Sequence, residues 1–228
     1  MTCVILQPSY IPWRGYFHQI AKADTFVFYD DVQYDKRGWR NRNRVKTPQG
    51  STWLTIPVCS KGLRTHGVQI NEVQIDWEQE WNKKHLETLR HVYGKAPYFS
   101  KYEPALAEFY ARGYELLSDF TIDLTVHLAG VLGITSTRFL RSSELTVSGS
   151  KSDRLLNVLR VLNATHYISG PSAQGYMEEE KFHDAGITLE YMNYTYPEYP
   201  QLYPPFDPAV SILDLLFMCG PDAGKYIW

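Results

Sequence analysis

Apolar positions along the chain fall into two alternating rhythms, short continuous runs and longer stretches with helical spacing. Cys3 to Leu6 is a buried-strand run closed by Gln7-Pro8. Gly15 to Ala23 has Phe17, Ile20 and Ala21 on one helical face, and Thr25 to Tyr29 is again strand-like, rich in β-branched and aromatic residues. Strand, loop, helix, strand is a βαβ unit, whose crossover implies parallel pairing. Trp53 to Val58 reads as a further strand. Trp77 to Tyr93, Ala105 to Leu117 and Ile122 to Leu132 read as helices. The alternation then resumes: strand at Arg138 to Leu140, helix at Lys151 to Leu162, strand at His166 to Ser169, helix at Gln174 to Ala185, strand at Ile187 to Met192. Tyr194 to Asp207 is rich in Pro and Tyr without period, an ordered loop, and Ser211 caps a last helix running to Met218. The pattern predicts one α/β domain over residues 1–228 with a largely parallel sheet and an all-helical insertion at about 77–133.

Composition narrows the class. The 228 residues carry a net charge of −2, with 44% hydrophobic and 21% charged residues, which is ordinary for a folded globular chain. No run approaches the ~18 apolar residues of a membrane span, and the start of the chain lacks the basic region of a secretory signal. Cys3, Cys59 and Cys219 are odd in number and far apart, which fits a reducing, cytoplasmic setting rather than a disulfide framework or a zinc site. No Ser/His/Asp order, His-x-x-x-His or Cys-x-x-Cys spacing appears, so hydrolase-triad and zinc readings lack support. The histidines, His18, His66, His85, His91, His127, His166 and His183, are scattered and read as structural.

Five segments carry candidate chemistry. Gln7, Tyr10, Pro12, Trp13, Arg14, Gly15 and Tyr16 lie in the loop between the first strand and the first helix. In an open parallel sheet that edge is where ligands bind. Asp30 and Asp31 follow the second strand at the same edge, placed to act as a general base, to hold a sugar hydroxyl or to ligate a metal; Tyr34 follows them. From Lys36 to Lys46, six of eleven residues are basic, and Arg40, Asn41, Arg42 and Asn43 with Trp39 suit a phosphate-bearing ligand or an RNA such as a tRNA. Lys151, Asp153 and Arg154 open a helix after Ser148-Gly149-Ser150, where an anion would meet backbone N–H groups and both cations. Ser169 and Gly170 lie in another strand-to-helix loop.

Read together, these segments resemble the WbqC-like family. The resemblance runs through Gln7-Pro8-x-Tyr10-x-Pro12-Trp13-x-Gly15-Tyr16-Phe17, Tyr29-Asp30-Asp31-Val32-Gln33-Tyr34 and Arg37-Gly38-Trp39-x-Asn41-Arg42-Asn43, then on to Pro197-Glu198-Tyr199-Pro200-Gln201-Leu202 and Ser211-Ile212-Leu213-Asp214. It implies a role in O-antigen or other surface-polysaccharide synthesis, as a transferase that places an aminoacyl group such as glycyl, or another acyl group, on a nucleotide-linked sugar. On that model Arg14, Arg40, Arg42 and Lys151 hold phosphates. Asp30 or Asp31 takes the proton of the nucleophile, and Tyr10, Trp13, Tyr16 and Tyr34 stack on sugar or base. A weaker resemblance is to the nucleotidylyltransferase-like (HUP) superfamily, including pantothenate synthetase, with Pro12 to Tyr16 and Lys151-Ser152 in the phosphate loops. There Trp13 and Tyr16 stand where phosphate-contacting histidines are expected. That resemblance implies ATP with magnesium and a nucleotidylyltransferase as one alternative; a non-catalytic nucleotide-sugar-binding module is another.

Overall fold

A computed structural model describes residues 1–59 and 67–228; His66 lies outside them. Five strands form one sheet: β1 (Thr2–Leu6), β2 (Thr25–Phe28), then β5 (Arg138–Arg141), β6 (His166–Ser169) and β7 (Thr188–Tyr191). Their order across the sheet is β5-β2-β1-β6-β7 and every pairing is parallel. Counting only these strands, the order is 3-2-1-4-5, so the direction of winding reverses between β1 and β6.

Alternation along the strands divides the core in two. Val4, Phe26, Phe28 and Ile168 pack on one face with Phe17 and Ile20 of α1 (Arg14–Lys22). Cys3, Ile5, Val27 and Tyr167 pack on the other with Leu156 and Leu159 of α5 (Lys151–Val161) and Phe182 of α6 (Glu179–Asp184). Both faces are covered, which is why the runs of β1 and β2 are almost wholly apolar. No helix among the described residues is long and apolar enough to cross a membrane.

Between β2 and β5 the chain makes a long excursion, whose later part carries the helices expected over 77–133. It opens with an antiparallel hairpin, β3 (Arg42–Thr47) and β4 (Gly50–Thr55), registered Asn43 opposite Leu54 and Arg44 opposite Trp53. Alternating polar residues there carry no run of apolar positions, because one face meets solvent. Three helices follow: α2 (Trp81–Tyr93), α3 (Phe99–Ala111) and α4 (Leu117–Val131). The sequence placed the last two about five residues too late. α3 runs through Pro104, anchored by Phe99 against Phe217 at 5.0 Å. Gly113, at φ 66°, then ends the segment that was expected to continue. The helix expected over Gln174 to Ala185 is a 3-10 turn (Pro171–Gly175) followed by the short α6. After β7 the chain runs without regular structure to α7 (Ile212–Cys219), whose cap is Ser211: its Oγ accepts from the Leu213 N–H at 3.2 Å.

Candidate functional site

A cleft of about 1250 Å³ opens at the carboxyl edge of the sheet, over the point between β1 and β6 where the winding reverses. Three segments build it: the β1–α1 loop, the turn after β6, and the start of α5. The segment leading into β3 forms a further wall.

The β1–α1 loop contributes Gln7, Pro12, Trp13 and Tyr16. Its shape is imposed from outside. Ile11 sits at φ 37°, an unfavourable region for a β-branched residue. Asn43 holds it there, its side-chain amide donating to the Tyr10 carbonyl at 3.1 Å and the Ile11 carbonyl at 2.8 Å. The Pro12 carbonyl accepts from the Ile212 N–H at 2.8 Å, and the Tyr16 hydroxyl donates to the Gln7 carbonyl at 3.1 Å. Trp13 lies across Gly15, where a Cβ would come within 2.4 Å of the indole, and meets Tyr194 edge-on at 4.9 Å.

Opposite stand Lys151 and Ser152 at the start of α5, with Ser169, Gly170, Tyr176 and Glu178 beyond β6. No side chain caps α5, and Lys151 adopts φ 50° after Gly149 at φ 114°. An uncapped helix start with a strained cation at its tip is therefore turned toward a cavity. Arg40 enters the same cleft from the segment before β3. Its Nε is buried without a hydrogen-bond partner among the described residues, and burial pulls the guanidinium pKa below its usual value against the opposing pull of Tyr16, Asp35 and Tyr34. Tyr29 lines the floor with the Arg154 guanidinium 5.4 Å from its ring. Two cations, aromatic walls and one carboxylate, Glu178, face the cavity, a set suited to a phosphate-bearing ligand with a planar or sugar face.

Residues 7–226 match the WbqC-like protein family. The chain belongs to the WbqC-like family. It is also 44% identical over 225 residues to the uncharacterized protein Rv1507c of Mycobacterium tuberculosis, an alignment covering 98% of this chain and 96% of that protein. No solved structure matches.

In this WbqC-like protein several residues expected at the site lie elsewhere. Asp30 is completely buried: its carboxylate accepts from the Ser143 N–H at 3.0 Å and from the Ser143 and Ser142 hydroxyls at 2.8 and 3.1 Å. Asp31 is taken by the Ser142 hydroxyl and an ion pair with Arg154. Neither lines the cleft, so both hold the end of β2 to the turn after β5 instead of standing free as a base or as magnesium ligands. Arg14 is turned to the other side of its loop. It donates to the Pro197 and Tyr226 carbonyls at 2.8 and 3.2 Å and lies 4.8 Å from the Tyr196 ring centre.

Tyr10 is a core residue whose hydroxyl is 2.8 Å from His85 Nδ1 and bonded to Tyr110. Tyr34 is buried behind Arg40, and burial lifts its hydroxyl to about 12. Asn41 donates to the Ile56 carbonyl at 2.8 Å, tying the chain to the hairpin's end. Arg42 lies outside on Trp53, Asp153 pairs with Lys181 on the surface at 2.7 Å, and His18 bonds the Tyr196 hydroxyl at 2.9 Å. Sequence reasoning missed Tyr29, Tyr176, Glu178 and Tyr194 as lining residues. Each is a single residue in a connecting segment, without a spacing signal.

Proposed function

We propose that this chain is a cytoplasmic transferase that places an acyl or aminoacyl group on a nucleotide-linked sugar during surface-polysaccharide synthesis. The observation that carries the reading is Arg40, whose buried Nε has no hydrogen-bond partner among the described residues and which faces the same cleft as Lys151 and the uncapped start of α5. Leaving a buried guanidinium N–H unmet is costly, and an anion arriving in the cleft supplies a partner. Lys151 and the first amides of α5 form a second anion site, so a sugar diphosphate has a place for each charged group. Trp13, Tyr16, Tyr29 and Tyr176 offer faces for base and sugar.

With Asp30 and Asp31 engaged elsewhere, the base is Glu178, the carboxylate at the cleft, held by Lys181 at 2.7 Å. The acceptor nitrogen or oxygen bonds to the donor's carbonyl carbon. The donor's leaving group departs with the electron pair of the broken bond, and the proton lost by the acceptor passes to Glu178. The engagement of both aspartates also favours a second reading, a module that binds the nucleotide sugar and hands it to a partner enzyme.

Thermal unfolding with UDP- and dTDP-sugars tests the proposal. A ligand at 100 times its dissociation constant adds about 2.7 kcal/mol, which raises the melting temperature of a chain this size by roughly 5–11 °C. The wild type shifts with a nucleotide sugar, while Arg40→Gln and Lys151→Ala do not. No shift with any nucleotide sugar, or full shifts in both variants, overturns the reading. Glu178→Gln then separates enzyme from module: turnover falls with binding kept if the chain is a transferase.

A further inference from the structure

The β3–β4 hairpin and the segment before it carry a second chemically distinct surface, which meets the cleft only at Trp39. The hairpin register turns Asn43, Val45 and Leu54 inward and leaves Arg42, Arg44 and Trp53 on the outer side. Trp53 is 45% exposed and Trp39 44% exposed, and their rings lie 5.2 Å apart at 37°. The Arg42 guanidinium sits 4.5 Å from the Trp53 ring centre, with Arg44 at 5.9 Å on the same ring. Arg42 is fixed in that position by donating to the Arg37 carbonyl. Lys36 and Arg37 are exposed beside it. From Lys36 to Thr55 there is no acidic residue, in a chain whose net charge is −2.

Tryptophan is ordinarily among the more buried residues, so two adjacent, half-exposed indoles amount to a contact surface that awaits a partner. The surroundings decide its chemistry. A face inserting into a lipid bilayer carries aliphatic residues beside its tryptophans; here the outward neighbours are Arg42, Arg44, Ser51 and Thr55. Aromatic rings interleaved with guanidinium groups are the pairing that receives stacked bases and their phosphates. Two rings side by side match two successive bases.

We propose that Trp39, Trp53 and Arg42, flanked by Lys36 and Arg37, form a binding platform for a single-stranded nucleic acid. Two bases stack on the indoles, and the adjoining phosphates meet Arg42, Lys36 and Arg37. Trp39 also lines the cleft, so the end of a bound strand lies at the cleft mouth. The platform goes beyond the nucleotide-sugar reading and does not rest on it, because nothing in it requires a ligand in the cleft.

Fluorescence anisotropy of the full chain with a labelled single-stranded RNA of about ten nucleotides tests it. Saturable binding is expected, weakened roughly 5- to 150-fold by Trp53→Ala and largely retained by Trp53→Phe. The slope of log affinity against log salt is about −2 if three cations meet phosphates, and it becomes shallower in the Lys36→Gln, Arg37→Gln double variant. Trp53 is outside the cleft, so Trp53→Ala keeps the melting temperature and the UDP-sugar shift of the wild type. Absence of RNA binding overturns the platform, as does unchanged affinity in Trp53→Ala. Binding of coenzyme A or of anionic phosphatidylglycerol vesicles without binding of RNA overturns it too. A failed platform leaves the UDP-sugar shift intact, and a failed cleft reading leaves RNA binding intact.

Discussion

Arg14 and Arg40 are the same side chain put to opposite uses, and the contrast is where residue-level prediction is sharpest. One terminal nitrogen of Arg14 donates to two carbonyls and Tyr196 and Tyr199 cover its face, although its Nε, like that of Arg40, has no partner among the described residues. Arg14→Ala is therefore expected to lower stability by about 2–4 kcal/mol in urea titrations, since charge-assisted bonds and cation–π contacts are lost together. Arg40 is desolvated with Nε unmet, which costs stability. Arg40→Gln is expected to melt at or above the wild-type temperature while losing the nucleotide-sugar shift; a clear drop in melting temperature would make Arg40 a structural residue. Gly15→Ala places a methyl against the Trp13 indole and is expected to displace that wall, weakening sugar-nucleotide binding by calorimetry at little cost to the sheet. From sequence both arginines read as phosphate ligands, because the residue type gives the chemistry and not its direction.

At the scale of elements, the joint between the β1–α1 loop and the inserted helices is Tyr10, His85 of α2 and Tyr110 of α3. Burial pulls the His85 imidazole down to about 4. Above pH 6.5 the ring is neutral in both folded and unfolded chains. As pH falls the unfolded chain takes up the proton first, so stability declines from about pH 6.5 until the folded ring also protonates near pH 4. The expected loss is on the order of 3 kcal/mol, read by urea titrations at pH 7.5 and 4.5. His85→Gln flattens that dependence; an unchanged slope assigns the acid sensitivity to other groups. The strands, α1, α5 and the Ser211 cap were legible in the sequence because each is written in local periodicity or a single cap residue. Of the hairpin only the second strand was read, as Trp53 to Val58 against the observed Gly50–Thr55, and its first strand was not. Asn43 and Asn41, which hold the cleft's loop and the hairpin's end, read as recognition amides, and their partners Tyr10, Ile11 and Ile56 are far away along the chain.

Across the whole molecule, the last third of the chain closes back on the first. Arg44 bonds the Ala209 carbonyl at 2.9 Å, and Arg14 bonds Pro197 and Tyr226. Buried Asp214 accepts from the Tyr93 hydroxyl at 2.7 Å and the Gln201 amide at 3.0 Å, while Tyr93 accepts from the Lys46 N–H at 2.8 Å. Asp214→Asn leaves one of its two donors facing an N–H. It is expected to cost about 1–3 kcal/mol and to lower the melting temperature in calorimetry without changing the relative ligand shifts. By itself the sequence determined the alternating α/β plan, the parallel sheet, the family and the edge of the sheet where the cleft opens. Those follow from hydrophobic period, crossover length and strand polarity, all carried by neighbours in the chain. Tertiary structure alone decided that Asp30, Asp31 and Arg14 are spent as struts, and that Arg40, Lys151, Tyr176 and Glu178 share one cavity. Whether a charged group is free or satisfied depends on partners a hundred or more residues distant, such as Ser142 for Asp30 and Pro197 for Arg14, and burial sets that only once the chain has closed.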